Sequence, residues 1–264
     1  MPYPYRMMPI RARALTAFPA LLLTCVLALG ATQVQALEFL GKKVVTGSGQ
    51  AASVKRELSP FHQISISLPG TVELVQGSSE NIVIDADDNL LPLIETVVKS
   101  GELNIRAIKG VSLAHGGKIR ITLNARSIEA LSVAGSCELA SARLQSPAFK
   151  GEIAGGGSIT VQDLQSDNVA VSIAGSGRFE VRGAAKAMDI SIAGSGDVVA
   201  PRFSVQDVNI SIAGSGKTTV WARNSLSISI TGTGDVYYYG ETTAKEKSID
   251  GSRRIKKLGT APPD

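Results

Sequence analysis

The sequence predicts an all-β chain wound as a β-solenoid, with rungs of about 20 residues and Gly-Ser-Gly turns. Three observations carry this reading. A phrase, fullest as Val169-Ala170-Val171-Ser172-Ile173-Ala174-Gly175-Ser176-Gly177, recurs six times between residues 131 and 236. Its first glycines, Gly135, Gly155, Gly175, Gly194, Gly214 and Gly232, follow one another at steps of 20, 20, 19, 20 and 18 residues. On both sides of each turn, apolar and polar residues alternate with period two, the pattern of a strand with one buried face.

Before the turn the apolar positions are Val169, Val171 and Ile173, then Ile190 and Ile192, then Val208, Ile210 and Ile212, then Leu226, Ile228 and Ile230. Between them runs a second column, Ser172, Ser191, Ser211 and Ser229, with Ser132 and Glu152 in earlier copies; it is expected to face solvent. After the turn the alternation resumes at Ile159 and Val161, Phe179 and Val181, Val198 and Ala200, Thr218 and Val220, and Val236 and Tyr238. Leu144, Leu164, Ala184 and Phe203, nine past each first glycine, are expected to fill a far corner. One copy cannot bury its inner face, so copies stack, with equivalent side chains about 4.8 Å apart. The second glycines Gly157, Gly177, Gly196, Gly216 and Gly234 join the first as structural turn residues, because a tight corner needs positive φ or close backbone approach. Ala134, Ala154, Ala174, Ala193 and Ala213 fit a crowded place beside the turn.

At the N-terminus, Arg6, Arg11 and Arg13 precede an apolar run from about Ala14 to Gly30, and Val34-Gln35-Ala36 supplies small residues before Leu37. Residues 1–36 read as a secretory signal peptide. A membrane anchor is the alternative, but Pro19 and Thr24 interrupt the run. Cys25 follows Thr24 rather than the small residue usual at a lipidation site. Removing this segment, with its three arginines and no acids, leaves 24 basic and 23 acidic residues. A near-balanced chain does not point to nucleic acid. Cys137 is then the one cysteine left, in the place of a second turn glycine, and no internal disulfide is open to it.

Residues 37–60 are polar and read as a lead-in to a solenoid over 61–240. Within it, 61–125 holds irregular rungs and 126–240 the regular repeats. Ile64, Ile66 and Leu68 begin the strand pattern; Val72 and Leu74, Ile82 to Asp85, Leu103 to Ala107 and Lys118 to Leu123 continue it. Leu90 to Val98, with Pro92, reads as a helical turn entering a strand. This half reads as the same rung with longer turns, also capping one end against aggregation. Tyr237, Tyr238 and Tyr239 read as an end cap, with a sugar-stacking platform as the alternative. Residues 241–264 read as a flexible basic tail. Beyond residue 36 no apolar segment is long enough to cross a membrane as a helix, and no aromatic-ended series of barrel strands closes the chain.

No catalytic, cofactor or metal constellation emerges. The position after each turn is Ser158, Arg178, Asp197, Lys217 and Asp235, a sign alternation that suits a solvated face. Asp197 and Asp235 fall two rungs apart, roughly 10 Å, within reach only of an inverting acid–base pair. His62 and His115 lie far from the cysteines in sequence, without metal-ligand spacing. Gly155-Gly156-Gly157-Ser158 lacks the aspartate and the period of calcium-binding nonapeptides. The Gly-Ser-Gly turns match neither a nucleophile elbow nor a phosphate loop.

Phe61-x-x-Ile64, Leu74-x-Gln76-Gly77, Asp88-Asn89-Leu90, Gly101-x-Leu103-x-Ile105 and Ile119-x-Ile121-x-Leu123 appear in order before the glycine rungs. From about Phe61 to Tyr239 this series resembles the head GIN domain family of auto-transporter adhesins. The resemblance implies a right-handed parallel β-helix, similar in shape to pectin lyases but offering no catalytic residues, and a role in cell-surface adhesion. A translocator barrel, which a true autotransporter has, is missing from the pattern. The expectation is therefore an exported, non-enzymatic binding protein of the periplasm or cell surface, needing no cofactor. Its candidate surface residues are Ser172, Ser191, Ser211, Ser229, Tyr237 and Tyr239, and its candidate partners a glycan or an envelope protein. A polysaccharide lyase or hydrolase is one alternative; a self-associating structural protein of the envelope is another.

Overall fold

Period-two alternation gives a strand one apolar face that it cannot shield alone. In the computed structural model, which describes residues 41–114, 118–250 and 254–263, that face is hidden by coiling strand on strand. The signal peptide expected over 1–36, with Cys25, lies outside the described residues, as does His115. No α-helix occurs among the described residues.

The irregular half begins with β1 (Lys43–Val45), β2 (Ala51–Glu57), β3 (Gln63–Ser67), β4 (Gly70–Gln76) and β5 (Asn81–Asp87). A single 3-10 turn at Leu91–Leu93, with Pro92 in its first positions, leads into β6 (Ile94–Lys99), as the proline requires. Then come β7 (Glu102–Ala107), β8 (Val111–Leu113) and β9 (Arg120–Ala125). The regular half holds β10 (Ala130–Gly135), β11 (Cys137–Ser141), β12 (Leu144–Gly155), β13 (Ser158–Gly175) and β14 (Arg178–Gly194). It ends with β15 (Asp197–Gly214), β16 (Lys217–Gly232), β17 (Asp235–Tyr239), β18 (Ala244–Asp250) and β19 (Arg254–Gly259).

Strands β12 to β16 stack in parallel, each residue beside its equivalent one circuit away. Ile153, Ile173, Ile192, Ile212 and Ile230 are successive partners, all buried. Each such side chain contributes about 1.5–3 kcal/mol by leaving water, and together they make the expected spine. A rung has three faces: one entering the glycine turn, one leaving it, and a third beyond the corner where Leu144, Leu164, Gly183 and Phe203 align. The steps of 18 to 20 residues are absorbed at that corner, where register slips between Val161 and Leu164, Glu180 and Gly183, and Ala200 and Ser204. Ala184, expected in the corner column, is therefore displaced by Gly183, which has φ +120 and lies against the Leu164 carbonyl. Phe149 and Phe179 fill the neighbouring core with ring centroids 6.5 Å apart. Gly151 makes this fit, since a Cβ there would stand 2.7 Å from the Phe179 ring.

The two glycines of each turn do different work. At the first, φ is positive, +122 at Gly175, and an added Cβ would stand 2.7 Å from the Gly155 carbonyl oxygen one rung back. That carbonyl accepts from Ser176 N at 2.9 Å. The second glycine lacks a side chain because the preceding rung's spine residue occupies the place: a Cβ at Gly216 would lie 2.8 Å from Ile192 Cγ2. Here too the backbone is paired, Lys217 N donating to Gly196 O at 3.1 Å. Cys137 stands at the second-glycine position of the first regular rung, whose predecessor turns through Leu68, Pro69 and Gly70; Cys137 pairs with Gly70. Its side chain is buried. The alanines before the turn are exposed or half-buried; they face outward and are not crowded by it.

The irregular half departs from a simple continuation. β3 lies between β10 and β7, and β4 between β11 and β9. Residues 63–76 thus sit inside the rung formed by β7 and β9, and stacking order is not chain order. β6 runs antiparallel to β7, β5 to β9 and β2 to β5. The expected lead-in over 37–60 therefore supplies a paired strand. Arg56 ties it down, donating to Ile94 O at 2.9 Å and Thr96 Oγ1 at 3.0 Å.

At the other end the expected flexible tail instead forms a last rung, β18 on the first face and β19 on the second. The sequences of these strands are rich in charge and carry few apolar residues, which is how edge strands avoid further pairing and why composition alone reads as a tail. Lys257 pairs with the buried Tyr238 and so occupies an inward column. Its ammonium donates to Glu241 O at 3.5 Å, ending the core column on a charge. The tyrosine triplet consequently splits: Tyr238 turns inward, while Tyr237 and Tyr239 stay half-buried on the outside.

Urea unfolding of Gly175→Ala should lose about 2–4 kcal/mol, from strain and the Gly155 carbonyl together. Gly135→Ala, at φ +89 with open space around it, should lose about 1–2 kcal/mol from strain alone. Gly156→Ala, also in open space, should stay within about 0.5 kcal/mol. Thr218 is buried with no hydrogen-bond partner for its hydroxyl, so Thr218→Val should raise stability by about 1 kcal/mol in the same assay. Burial, helped by Glu138, lifts the Cys137 thiol from 9.0 to about 12. The folded state keeps its proton where the unfolded state loses it, so stability should hold below pH 9 and fall between pH 9 and 12. Cys137→Ser should abolish that alkaline slope.

Candidate functional site

On the first face the pleat sends Val171, Ile190 and Ile210 inward and Ser172, Ser191 and Ser211 outward, exposed, with Ser229 half-buried in the next rung. Small residues in register leave the sheet itself as a floor, and a groove of about 500 Å³ lies over it. All four serines line it. So do Lys150, Asp189, Asn209 and Ser227, one column away, which the sequence reading passed over. Their signal was available, since each stands two residues before a serine-column position. Lys150 is paired with Glu152 at 2.6 Å, and Asn209 donates to Asp189 at 2.9 Å. Among the described residues, Ser172, Ser191 and Ser211 make no side-chain hydrogen bond to the protein. The groove therefore offers a periodic row of free hydroxyls beside one amide–carboxylate pair.

Tyr237 and Tyr239 are not brought to this groove. They lie on the second face, past the glycine turn, where Tyr237 donates to Asp235 at 3.3 Å and accepts from Arg254 at 3.1 Å. The same face carries the charge ladder Arg178, Asp197, Lys217, Asp235 and Arg254, each the partner of the next. Arg178 reaches Asp197 at 3.5 Å, and Arg254 reaches Asp235 at 4.0 Å. Lys217 stands between the two aspartates, so the pair considered for acid–base work is interrupted by a cation and each member is held by an arginine. Opposite charges at each step keep like charges from standing one rung apart.

The turn glycines do not line this groove; their close approach to the preceding rung makes their part structural. The Cys137 thiol is buried and its high pKa keeps it protonated near neutrality, the state of an unreactive thiol. His62 lies 3.9 Å from Glu129. Among the described residues no three histidine, cysteine, aspartate or glutamate side chains gather in a way that could hold a metal ion. In the irregular half a second cavity, about 920 Å³, opens between β2, β4, β5 and β9, lined by Asp85, Asp87, Lys118 and Arg120 among others. Strands β4, β5 and β9 were legible in the sequence; β2, which lies in the expected lead-in, and the antiparallel juxtaposition were not.

Solved structures share this architecture. A "putative adhesin" of Bacteroides fragilis aligns over 81% of this chain and 100% of its own, with 22% identity and a TM-score of 0.75. A "putative adhesin" of Parabacteroides merdae covers 81% and 99%, at 22% identity and TM-score 0.64. A "Putative lipid binding protein" of Parabacteroides distasonis covers 82% and 100%, at 23% identity and TM-score 0.66. At such identities the likeness speaks for the fold alone. No curated protein matches the chain. The family described as "Putative auto-transporter adhesin, head GIN domain" matches residues 60–242, most of the sequence and all six of its glycine turns, so this chain belongs to the head GIN domain family.

Proposed function

We propose that the chain is an exported, non-enzymatic binding module of the adhesion type, acting at the bacterial cell envelope and holding a glycan or a surface protein in its serine groove. The observation that carries this is the row of unpartnered hydroxyls at one per rung. Such a row has donors and acceptors at a fixed interval and no activated nucleophile, which suits an extended ligand with a repeat of its own. The family's adhesin description and the adhesin designations of its structural relatives support the same reading. The signal-peptide pattern at residues 1–36 supports export, and no described helix is long and apolar enough to cross a membrane. The interrupted aspartate pair favours binding over hydrolysis.

Glycan arrays and pull-downs from envelope extracts test the proposal, run beside polysaccharide depolymerisation assays on the same purified chain. Ser191→Arg and Ser211→Arg, which fill the groove from exposed positions, should cut binding at least about tenfold while moving Tm by no more than about 2 °C. Depolymerisation that disappears in Asp197→Asn or Asp235→Asn would replace the binding reading with a polysaccharide lyase or hydrolase. Concentration-dependent assembly of the chain, blocked by the same groove variants, would replace it with a structural envelope protein.

A further inference from the structure

Every tyrosine and the one tryptophan among the described residues fall in two adjacent rungs, as Trp221 and Tyr237 to Tyr239. Elsewhere the described aromatic residues are phenylalanines, all buried. On the second face, the outward positions of β16, β17 and β19 form three columns. The first runs Lys217, Asp235, Arg254. The second sets Tyr237 between Thr219 and Lys256, and the third sets Tyr239 between Trp221 and Gly259. A side chain at Gly259 would touch the Tyr239 ring, 3.7 Å away; the glycine leaves that ring open. Lys217 Nζ stands 5.1 Å from the Tyr237 ring centre, and Arg223 stands 5.5 Å from that of Trp221.

Charge here is unbalanced. Asp235 is the one carboxylate of the nine positions, against Lys217, Arg254 and Lys256, all exposed. Among the described residues Lys217 and Lys256 have no ion-pair partner, and the only carboxylate near Arg254 is shared with Tyr237. Trp221 and Tyr239 are neighbours one rung apart, about 4.8 Å, and Tyr237 lies two residues along the strand from Tyr239; Lys256 follows Tyr237 in its column, Lys217 lies by the Tyr237 ring and Arg223 by that of Trp221. Amphipathic rings beside ammonium and guanidinium groups are matched by a ligand with stackable apolar faces and regularly spaced anions. A membrane surface is matched less well, because what protrudes from this ledge is charged and its rings do not stand out to enter an apolar phase.

We propose that this ledge is a binding site for an acidic polysaccharide, its sugar rings lying on Tyr237, Tyr239 and Trp221 and its carboxylates meeting Lys217, Arg254 and Lys256. The ledge is on a different face from the serine groove, so either site stands if the other fails.

Trp221 is the only tryptophan of the chain, so its emission reports directly on the ledge. The purified chain is titrated with polygalacturonate, with neutral dextran and with phosphatidylglycerol vesicles, at low and at physiological salt. Polygalacturonate should give a saturable change in emission that weakens as salt screens it, and dextran none. The double variant Lys217→Ala/Lys256→Ala should raise the apparent Kd about tenfold, and Lys256→Glu alone should raise it too, with the Tm of both held. Ser191→Arg should leave this affinity unchanged. An equal response to the vesicles would identify a membrane-contact surface and overturn the proposal. Affinity unchanged in both lysine variants, or binding with no change in Trp221 emission, would overturn it as well.

Discussion

The structure depends on backbone meeting backbone at the glycine turn. Here the carbonyl of one first glycine accepts from the residue after the next first glycine, as in Ser195 N to Gly175 O at 2.8 Å. Two residues on, the ladder resumes, as in Asp197 N to Gly177 O at 2.9 Å. This continuity needs two absences of a side chain for two reasons, positive φ at one position and a neighbour's methyl group at the other. Alanine satisfies neither, and after the first regular rung, where Cys137 takes the second place, the residue between the glycines varies among Ser, Gly and Thr while the glycines do not.

Once the turn is fixed, the two strands leaving it are in register for as long as their length allows. Variation is then pushed to the opposite corner, where the register slips. The spine isoleucines are locked twice, by stacking on one another and by entering the space the next rung's second glycine vacates. A β-branched residue suits that role, because its Cγ2 reaches sideways from a stiff χ1. Core and turn are thus one device.

How far the sequence disclosed this follows from what a repeat can encode. Ile173, Ile192, Ile212 and Ile230 lie in one column because equivalent residues must stack, and spacing alone reveals equivalence. Residues 61–125 share the alternation but no period, so pattern could locate β3, β4, β7 and β9 without ordering them. That β3 stacks inside β7 is a matter of long-range pairing between strands of equal hydrophobic character, to which local alternation is blind. Residues 241–263 failed for the opposite reason. Edge strands are charged because they are edges, and charge is also the mark of a solvated tail. For the candidate surface, the serine column was legible as a periodic polar position. The concavity over it was not, since that depends on the whole face being small.

A periodic fold also constrains the kind of chemistry it can present. Catalysis needs unlike groups converging on one point, at distances that differ from each other and are held by different elements. In-register parallel stacking does the reverse, repeating one position along a line. Where this chain varies a column, it alternates sign, as from Arg178 through Asp197 and Lys217 to Asp235, and so stabilises the stack. Where it keeps a column, as with Ser172, Ser191 and Ser211, no structural contact uses the hydroxyls. The residues that break the repeat, Trp221 and the two outward tyrosines, gather at one end on the other face. The outward positions are thus sign-alternating, uniform and unused by the fold, or singular and clustered, and the candidate surfaces lie where the repeat is purest and where it stops.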